Sequence, residues 1–248
     1  LALGADYLAT GHYARVQRHG DSHSLLCARD REKDQAYVLH VLGQSELSRV
    51  LFPVGDYTKD EVRDLANHFA LPVASKSESM DLCFLADGDY RRFLRDRAGK
   101  DIAPGPVVNR AGHTVGQHSG LVDYTIGQRK GLGLALGKPL YVLAKDHSAN
   151  TLVVGSADQL SQTRLGVKDV NWVSGRAPSG SIAAQVKIRY RARPVPATII
   201  PLSTGSSGSN VEVRFSNPVR GATAGQGAVF FDGDVCLGGG IIHDEGLE

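Results

Sequence analysis

Ala5-Asp6-Tyr7-Leu8-Ala9-Thr10-Gly11-His12-Tyr13-Ala14-Arg15-Val16 begins as a short apolar run, breaks at Thr-Gly and resumes as a second extended segment. Ala5–Ala9 reads as a buried parallel strand, because such strands are short and apolar on both faces. Gly11 then falls just past the carboxyl end of that strand, the edge where open α/β sheets place their ligands. The stretch sits at the very start of the chain, with no polar, frayed residues ahead of Leu1. A chain end is normally polar, so the expectation is an N-terminally truncated protein that starts inside a folded element.

The following residues extend the α/β reading. Ser24–Ala28 is a second short strand. Asp34–Leu39 can open a helix, and Gly43–Phe52 has helical spacing up to Pro53. Thr58-x-x-Glu61 is a capping box, followed by Val62, Leu65, Ala66 and Phe69 on one helix face. A polar loop, Ser75–Ser79, leads to Met80-Asp81-Leu82-Cys83-Phe84-Leu85, and a short helix is expected around Asp89–Leu94. Residues 1–86 therefore read as the last part of an α/β domain.

From about residue 101 glycine and proline become frequent and helical periodicity fades. Gly105–Val108 with His113–Gly116, and Leu140–Leu143 with Thr151–Val154, read as hairpin arms in a small mixed β domain over 87–164. Six further strand candidates follow: Val167–Trp172, Ser181–Tyr190, Val195–Pro201, Val211–Phe215, Ala228–Phe231 and Val235–Ile242. Their short, regular spacing suggests a β-barrel over 165–248. A solvated loop is expected at Thr204–Ser209.

Composition narrows the function classes. The chain has 248 residues and a net charge of +2, so any polyanion-binding surface must come from local clustering. The three cysteines, Cys27, Cys83 and Cys236, do not form a disulfide framework and fit a reducing, cytoplasmic compartment. No apolar stretch approaches the length of a membrane span and no secretory leader opens the chain. The nine histidines are scattered without CxxC or HxxxH spacing, so no metal site is expected.

Five features could carry chemistry. Cys83 lies between a polar loop and an apolar pair; from type alone a buried structural cysteine is the commoner outcome, and a reactive thiolate needs a stabilising cation or helix N-terminus. Cys27 lies in an alternating strand and Cys236 in the apolar run Val235-Cys236-Leu237, and both read as core. Thr10-Gly11-His12-Tyr13 is either a turn with a packed histidine or a close backbone approach to a ligand. Lys33-Asp34-Gln35 is either a solvated helix start or a set of contacts to phosphates and base edges. Arg129-Lys130 is a basic pair in a glycine-bounded loop suited to phosphate. Lys187, Arg189, Arg191 and Arg193 alternate around Tyr190, and strand geometry would put the four cations on one face, as in a nucleic-acid surface.

Seven segments in order, ATGHYARV at 9–16, KDQAYVL at 33–39, LFPVGDYTKDEVR at 51–63, DLCFL at 81–85, YTIGQRKGLG at 124–133, VKIRYR at 186–191 and AGQGAVFFDGDVCLGGGII at 224–242, together resemble the tRNA-specific 2-thiouridylases, called MnmA in bacteria. The resemblance implies a PP-loop ATP pyrophosphatase domain (adenine nucleotide alpha hydrolase-like), a central domain and a C-terminal β-barrel. It implies a sulfurtransferase that uses ATP, with Mg, to adenylate the 2-oxygen of the wobble uridine, and a cysteine persulfide to replace that oxygen; no permanent metal or organic cofactor is implied. By matching position, Cys83 is the persulfide cysteine, Gly11 an ATP contact, and His12 a contact near the target nucleotide. Lys33, Asp34, Gln35, Arg189, Tyr190 and Gln226 match tRNA contacts, and Arg129 and Lys130 join them as candidates. The implied partners are the glutamate, glutamine and lysine tRNAs and a sulfur-relay protein or cysteine desulfurase, with no membrane.

Two departures qualify the resemblance. The family's Ser-Gly-Gly-x-Asp-Ser phosphate loop does not occur in this sequence, and neither does its second catalytic cysteine upstream of ATGHY. Glu78 and Met80 also differ from the family's wording before the cysteine. A non-catalytic tRNA-binding protein and a different PP-loop enzyme, such as an adenylating ligase, are the alternative readings.

Overall fold

The computed structural model describes residues 4–72, 102–134, 137–202 and 210–243. Cys83, the helix expected near 89–94 and the loop expected at 204–209 lie outside them. The chain divides into two compact units. Among the described residues one unit holds 4–72, 163–202, 210–218 and 222–243, and the other holds 102–134, 137–162 and 219–221.

In the first unit β1 (Leu8–Ala9) opens the chain, followed by a hairpin of β2 (Ala14–His19) and β3 (Ser22–Cys27). Gly20 turns that hairpin at φ 59°, a left-handed value that costs glycine little. Two four-residue helices follow, α1 (Ala36–Leu39) and α2 (Gln44–Leu47), then β4 (Val50–Leu51) and α3 (Lys59–His68). β1 is parallel, as expected, pairing Leu8 with Val50 and Ala9 with Leu51. It is shorter than expected and exposed, because among the described residues β4 is its sole neighbour and neither face is covered. The helix expected to run to Phe52 stops after Leu47. Arg49 and Leu51 give their carbonyls to the amides of Leu8 and Thr10 instead, so pairing across the chain displaces a locally plausible helix.

The Thr58 capping box forms as expected: Glu61 N–H donates to Thr58 Oγ1 at 3.3 Å and Thr58 N–H to Glu61 Oε2 at 2.7 Å. Those bonds, led by the Thr58 amide, hold the Glu61 carboxyl below its ordinary range. The apolar stripe of α3 is half-buried at Val62 and Ala66 and exposed at Leu65 and Phe69, the last at 65%. A Cβ on Gly55 would run into the carbonyl of Ala14, so only glycine lets that loop lie against β2.

The second unit contains β5 (Gly105–Asn109), β6 (Thr114–His118), β7 (Tyr141–Asp146) and β8 (Thr151–Gly155), in sheet order β6-β5-β8-β7. Both expected hairpins form, and parallel pairing of β5 with β8 joins them. Val107, Leu121, Val142, Leu152 and Val154 make the core. His118, 1% exposed, is tied down at both ring nitrogens. Gly120 N–H donates to its Nδ1 at 3.1 Å, which leaves Nε2–H to donate to the Asn150 carbonyl at 3.0 Å.

The remaining strands are β9 (Ser161–Trp172), β10 (Ile182–Lys187), β11 (Val195–Pro201), β12 (Val211–Arg220), β13 (Gly227–Asp232) and β14 (Val235–His243). Their order, β13-β10-β11-β12-β9-β14 with β14 returning to β13, closes the expected barrel. Closure needs glycine on β14: side chains at Gly238, Gly239 and Gly240 would strike the carbonyls of Asn171, Ala228 and Lys168 on the flanking strands. β3 then pairs with the first residues of β14, Val235 and Cys236, ahead of the stretch that pairs with β9, extending the sheet to the N-terminal hairpin. β13 is buried on both sides. Val229 and Phe231 join Leu25, Cys27, Ala36 and Leu39 beneath the N-terminal segment. Strand alternation turns the fully buried Phe230 the other way, into the barrel.

The expected basic strand face does not form. β10 ends at Lys187, so Arg189, Arg191 and Arg193 do not share a strand face with it. Val186 already pairs with Val195 of β11, which forces residues 187–194 to turn back, with Ala192 N–H donating to the Arg189 carbonyl at 3.0 Å.

Candidate nucleic-acid interface

The turn between β10 and β11 and the segment after β3 wall a groove of about 940 Å³ in the first unit. Its cations are Arg31, Lys33, Lys187, Arg191 and Arg193, and its carboxylates are Glu32, Asp34 and Asp234. Two of the three acids are already committed. Asp234 takes an ion pair from Arg31 and a second contact from Arg15 at 3.3 Å. Asp34, 6% exposed, accepts the amides of Ala28 at 2.9 Å and Ala36 at 3.3 Å through Oδ1, which turns the chain into α1. With five cations against three carboxylates the groove is a positive surface, and it carries an aromatic ring, Tyr190, at 38% exposure.

Several sequence-distant candidates meet here. Gln35 clamps Tyr13 from both sides: its amide donates to the Tyr13 carbonyl at 2.8 Å, and its Oε1 accepts the Tyr13 N–H at 2.9 Å. That ties the Gly11–His12 segment to Lys33–Gln35. Tyr37, two residues on, donates its hydroxyl to the Gly227 carbonyl at 2.9 Å, beside Gln226. Its ring lies 6.2 Å from that of Tyr190. Burial raises the Tyr37 phenol, with the nearby Arg189 cation opposing. Asn171 Nδ2 donates to the carbonyls of His40 and Leu42, at 2.7 and 3.1 Å, and so pins the end of α1 to β9. Lys33, Asp34, Gln35, Arg189, Tyr190 and Gln226 thus belong to one neighbourhood.

Sequence reasoning did not single out Tyr37, Arg31 or Asp234. A tyrosine two residues beyond Gln35 was the one available signal, and its partner lies more than 150 positions away.

Gly11 and His12 lie outside the groove lining. Gly11 follows β1, and among the described residues a Cβ there would meet nothing within 4 Å, which leaves its backbone open on that side. His12 Nδ1 contacts Thr10 Oγ1 at 2.9 Å, and its ring meets Phe52 edge-on at 6.2 Å. Arg129 and Lys130 are exposed in the second unit, on a loop kept open by positive φ at Gly127, Gly131 and Gly133. Arg129 lines a hollow of about 540 Å³ there with Lys138.

Two of the cysteines are core residues with suppressed thiolate character. Burial foremost, then Asp34, pushes the Cys27 thiol up to about 11, and burial pushes Cys236 up to about 12. Both are buried, free thiols, as the core reading expected. Among the described residues no cluster of His, Cys, Asp or Glu could hold a metal, and no helix is long and apolar enough to cross a membrane.

Three family profiles match in sequence: a tRNA methyl transferase HUP domain over residues 1–87, a tRNA methyl transferase PRC-barrel domain over 91–156, and an aminomethyltransferase beta-barrel domain over 162–242. Curated relatives match nearly the whole chain, and the chain spans about two thirds of their length. The tRNA-specific 2-thiouridylase MnmA of Moorella thermoacetica is 45% identical, over 98% of this chain and 67% of the relative. Those of Chloroflexus aggregans and Carboxydothermus hydrogenoformans are each 46% identical, over 97% and 98% of this chain and 66% of each relative. The profile names speak of methyl transfer and the relatives' names of thiolation; the relatives carry more weight, because they match all three segments in one alignment. The chain belongs to the family of tRNA-specific 2-thiouridylases.

Proposed function

We propose that the protein carrying this chain is a tRNA-uridine 2-sulfurtransferase of the cytoplasm, acting on the wobble uridine of glutamate, glutamine and lysine tRNAs. Family membership over nearly the whole chain supports this reading. The positive, aromatic groove supports its tRNA-binding half, since cations hold phosphates and rings stack on bases. Lys33, Arg189, Tyr190 and Gln226 would contact tRNA there. Asp34 and Gln35 would help mainly by shaping the segment, given their backbone bonds. Arg129 and Lys130 would contribute from the second unit, and His12 would sit near the target nucleotide.

In the proposed chemistry ATP, with Mg, supplies an adenylyl group that turns the uridine 2-oxygen into a leaving group; the open backbone at Gly11 fits a nucleotide contact. The terminal sulfur of a Cys83 persulfide attacks C2, and AMP departs with the oxygen. A second thiol then attacks Cys83 Sγ, which breaks the S–S bond, leaves sulfur on the base and forms a disulfide. The persulfide is supplied by a sulfur-relay protein or a cysteine desulfurase. Residues 1–86, 87–164 and 165–248 are the corresponding domains.

The full-length gene product, expressed in a bacterium lacking its own tRNA 2-thiouridylase, should restore 2-thiouridine derivatives in nucleoside mass spectra. No restoration, with tRNA binding intact, would replace this reading by that of a non-catalytic tRNA-binding protein.

A further inference from the structure

Lys187 ends β10, where its ammonium meets two rings. Nζ lies 5.7 Å from the ring centre of Tyr37 and 5.6 Å from that of Tyr190. The rings stand 6.2 Å apart and are tilted by 57°, so a single cation is shared between them. An aromatic notch holds an ammonium without cancelling its charge, whereas a carboxylate would neutralise it. Among the described residues Lys187 has no ion-pair partner. Tyr37 is in turn fixed by its hydroxyl bond to Gly227. A free surface lysine would lose its rotamer freedom on binding a phosphate; one already held loses less.

We propose that Lys187, held over Tyr37 and Tyr190, is a phosphate-contacting residue of the groove, and that Tyr37 is a positioning residue acting through it. The proposal rests on the reading that the groove takes tRNA. Lys187 lines that groove beside Arg191 and Arg193. Tyr37 stands behind it, outside the lining, and fixes where the charge is presented.

The test is tRNA binding by this chain across a salt series. Each neutralised phosphate adds about 0.7–0.9 to the slope of log affinity against log salt. Lys187→Met should flatten the slope by that amount and weaken binding about five- to eightfold at about 0.1 M salt, with the difference vanishing near about 1 M. Lys187→Arg should restore the slope. Tyr37→Phe keeps the ring and should keep the slope, while Tyr37→Leu should flatten it in part. An unchanged slope in Lys187→Met would overturn the proposal. So would a Tyr37→Leu variant that weakens binding equally at every salt concentration, which would give Tyr37 a purely structural role. Absence of tRNA binding by the unaltered chain would overturn this proposal and the groove reading together.

Discussion

Cys83→Ser, made in the full-length protein, should abolish 2-thiouridine formation while leaving tRNA affinity unchanged. A serine hydroxyl cannot accept and hold a second sulfur, so the proposed transfer loses its donor, and a loss of at least about 10³-fold is the scale for removing a nucleophile. The other two cysteines cannot stand in. With their thiols pushed up to about 11 and about 12 by burial, Cys27 and Cys236 are almost wholly protonated at neutral pH, and the thiolate is the reactive form. Cys27→Ala and Cys236→Ala should therefore retain thiolation in any variant that folds. Nucleoside mass spectrometry reads the outcome. Thiolation persisting in Cys83→Ser, or lost specifically in a folded Cys27→Ala, would move the sulfur-carrying role away from residue 83.

Phe230→Ala should destabilise the first unit by about 3–5 kcal/mol, the scale for deleting a buried phenyl ring. Phe230 has no exposed surface and sits 5.7 Å from the ring of Trp172. Its strand is the one shared by the barrel interior and by the cluster beneath the N-terminal segment. A cavity there cannot close by shifting β13, because both of its sides are packed and β10 and β14 bond its two edges. Phe230→Leu should cost much less, since it conserves most of the volume. Trp172 is the chain's single tryptophan, so its fluorescence during urea unfolding follows the first unit alone. A loss below about 1 kcal/mol in Phe230→Ala would mean that the ring is not packed in the barrel as described.

Local signals were read well wherever the structure obeys them. Val195–Pro201 was expected as a strand and is one with those bounds. The Thr58–Glu61 box and both hairpins of the second unit formed from their own residues. Errors arose where a distant partner decides. The alternation of Lys187-Ile188-Arg189-Tyr190-Arg191 reads as strand, yet β10 stops because Val195 must return beside Val186. Residues 48–52 read as helix, yet β1 draws them into parallel pairing. Of the groove lining, Lys33, Asp34, Lys187, Tyr190, Arg191 and Arg193 stand out in the sequence, but their assembly was not legible. It depends on β3 pairing with β14 and on Tyr37 bonding to Gly227, contacts that carry no local pattern. Asp34 and Gln35 show the complementary case. By type they read equally as a solvated helix start, and the family resemblance alone implies that they contact tRNA; the fold spends much of their hydrogen-bonding capacity on its own backbone.

The groove between the segment after β3 and the β10–β11 turn is the element on which the tRNA-binding reading stands. Photocrosslinking of bound tRNA to this chain, followed by mass mapping of the attached peptides, tests it most directly. The expected result is attachment within residues 29–37 and 185–194, lost when salt releases the tRNA. Attachment confined to other surfaces, with both of those peptides unmodified, would contradict it.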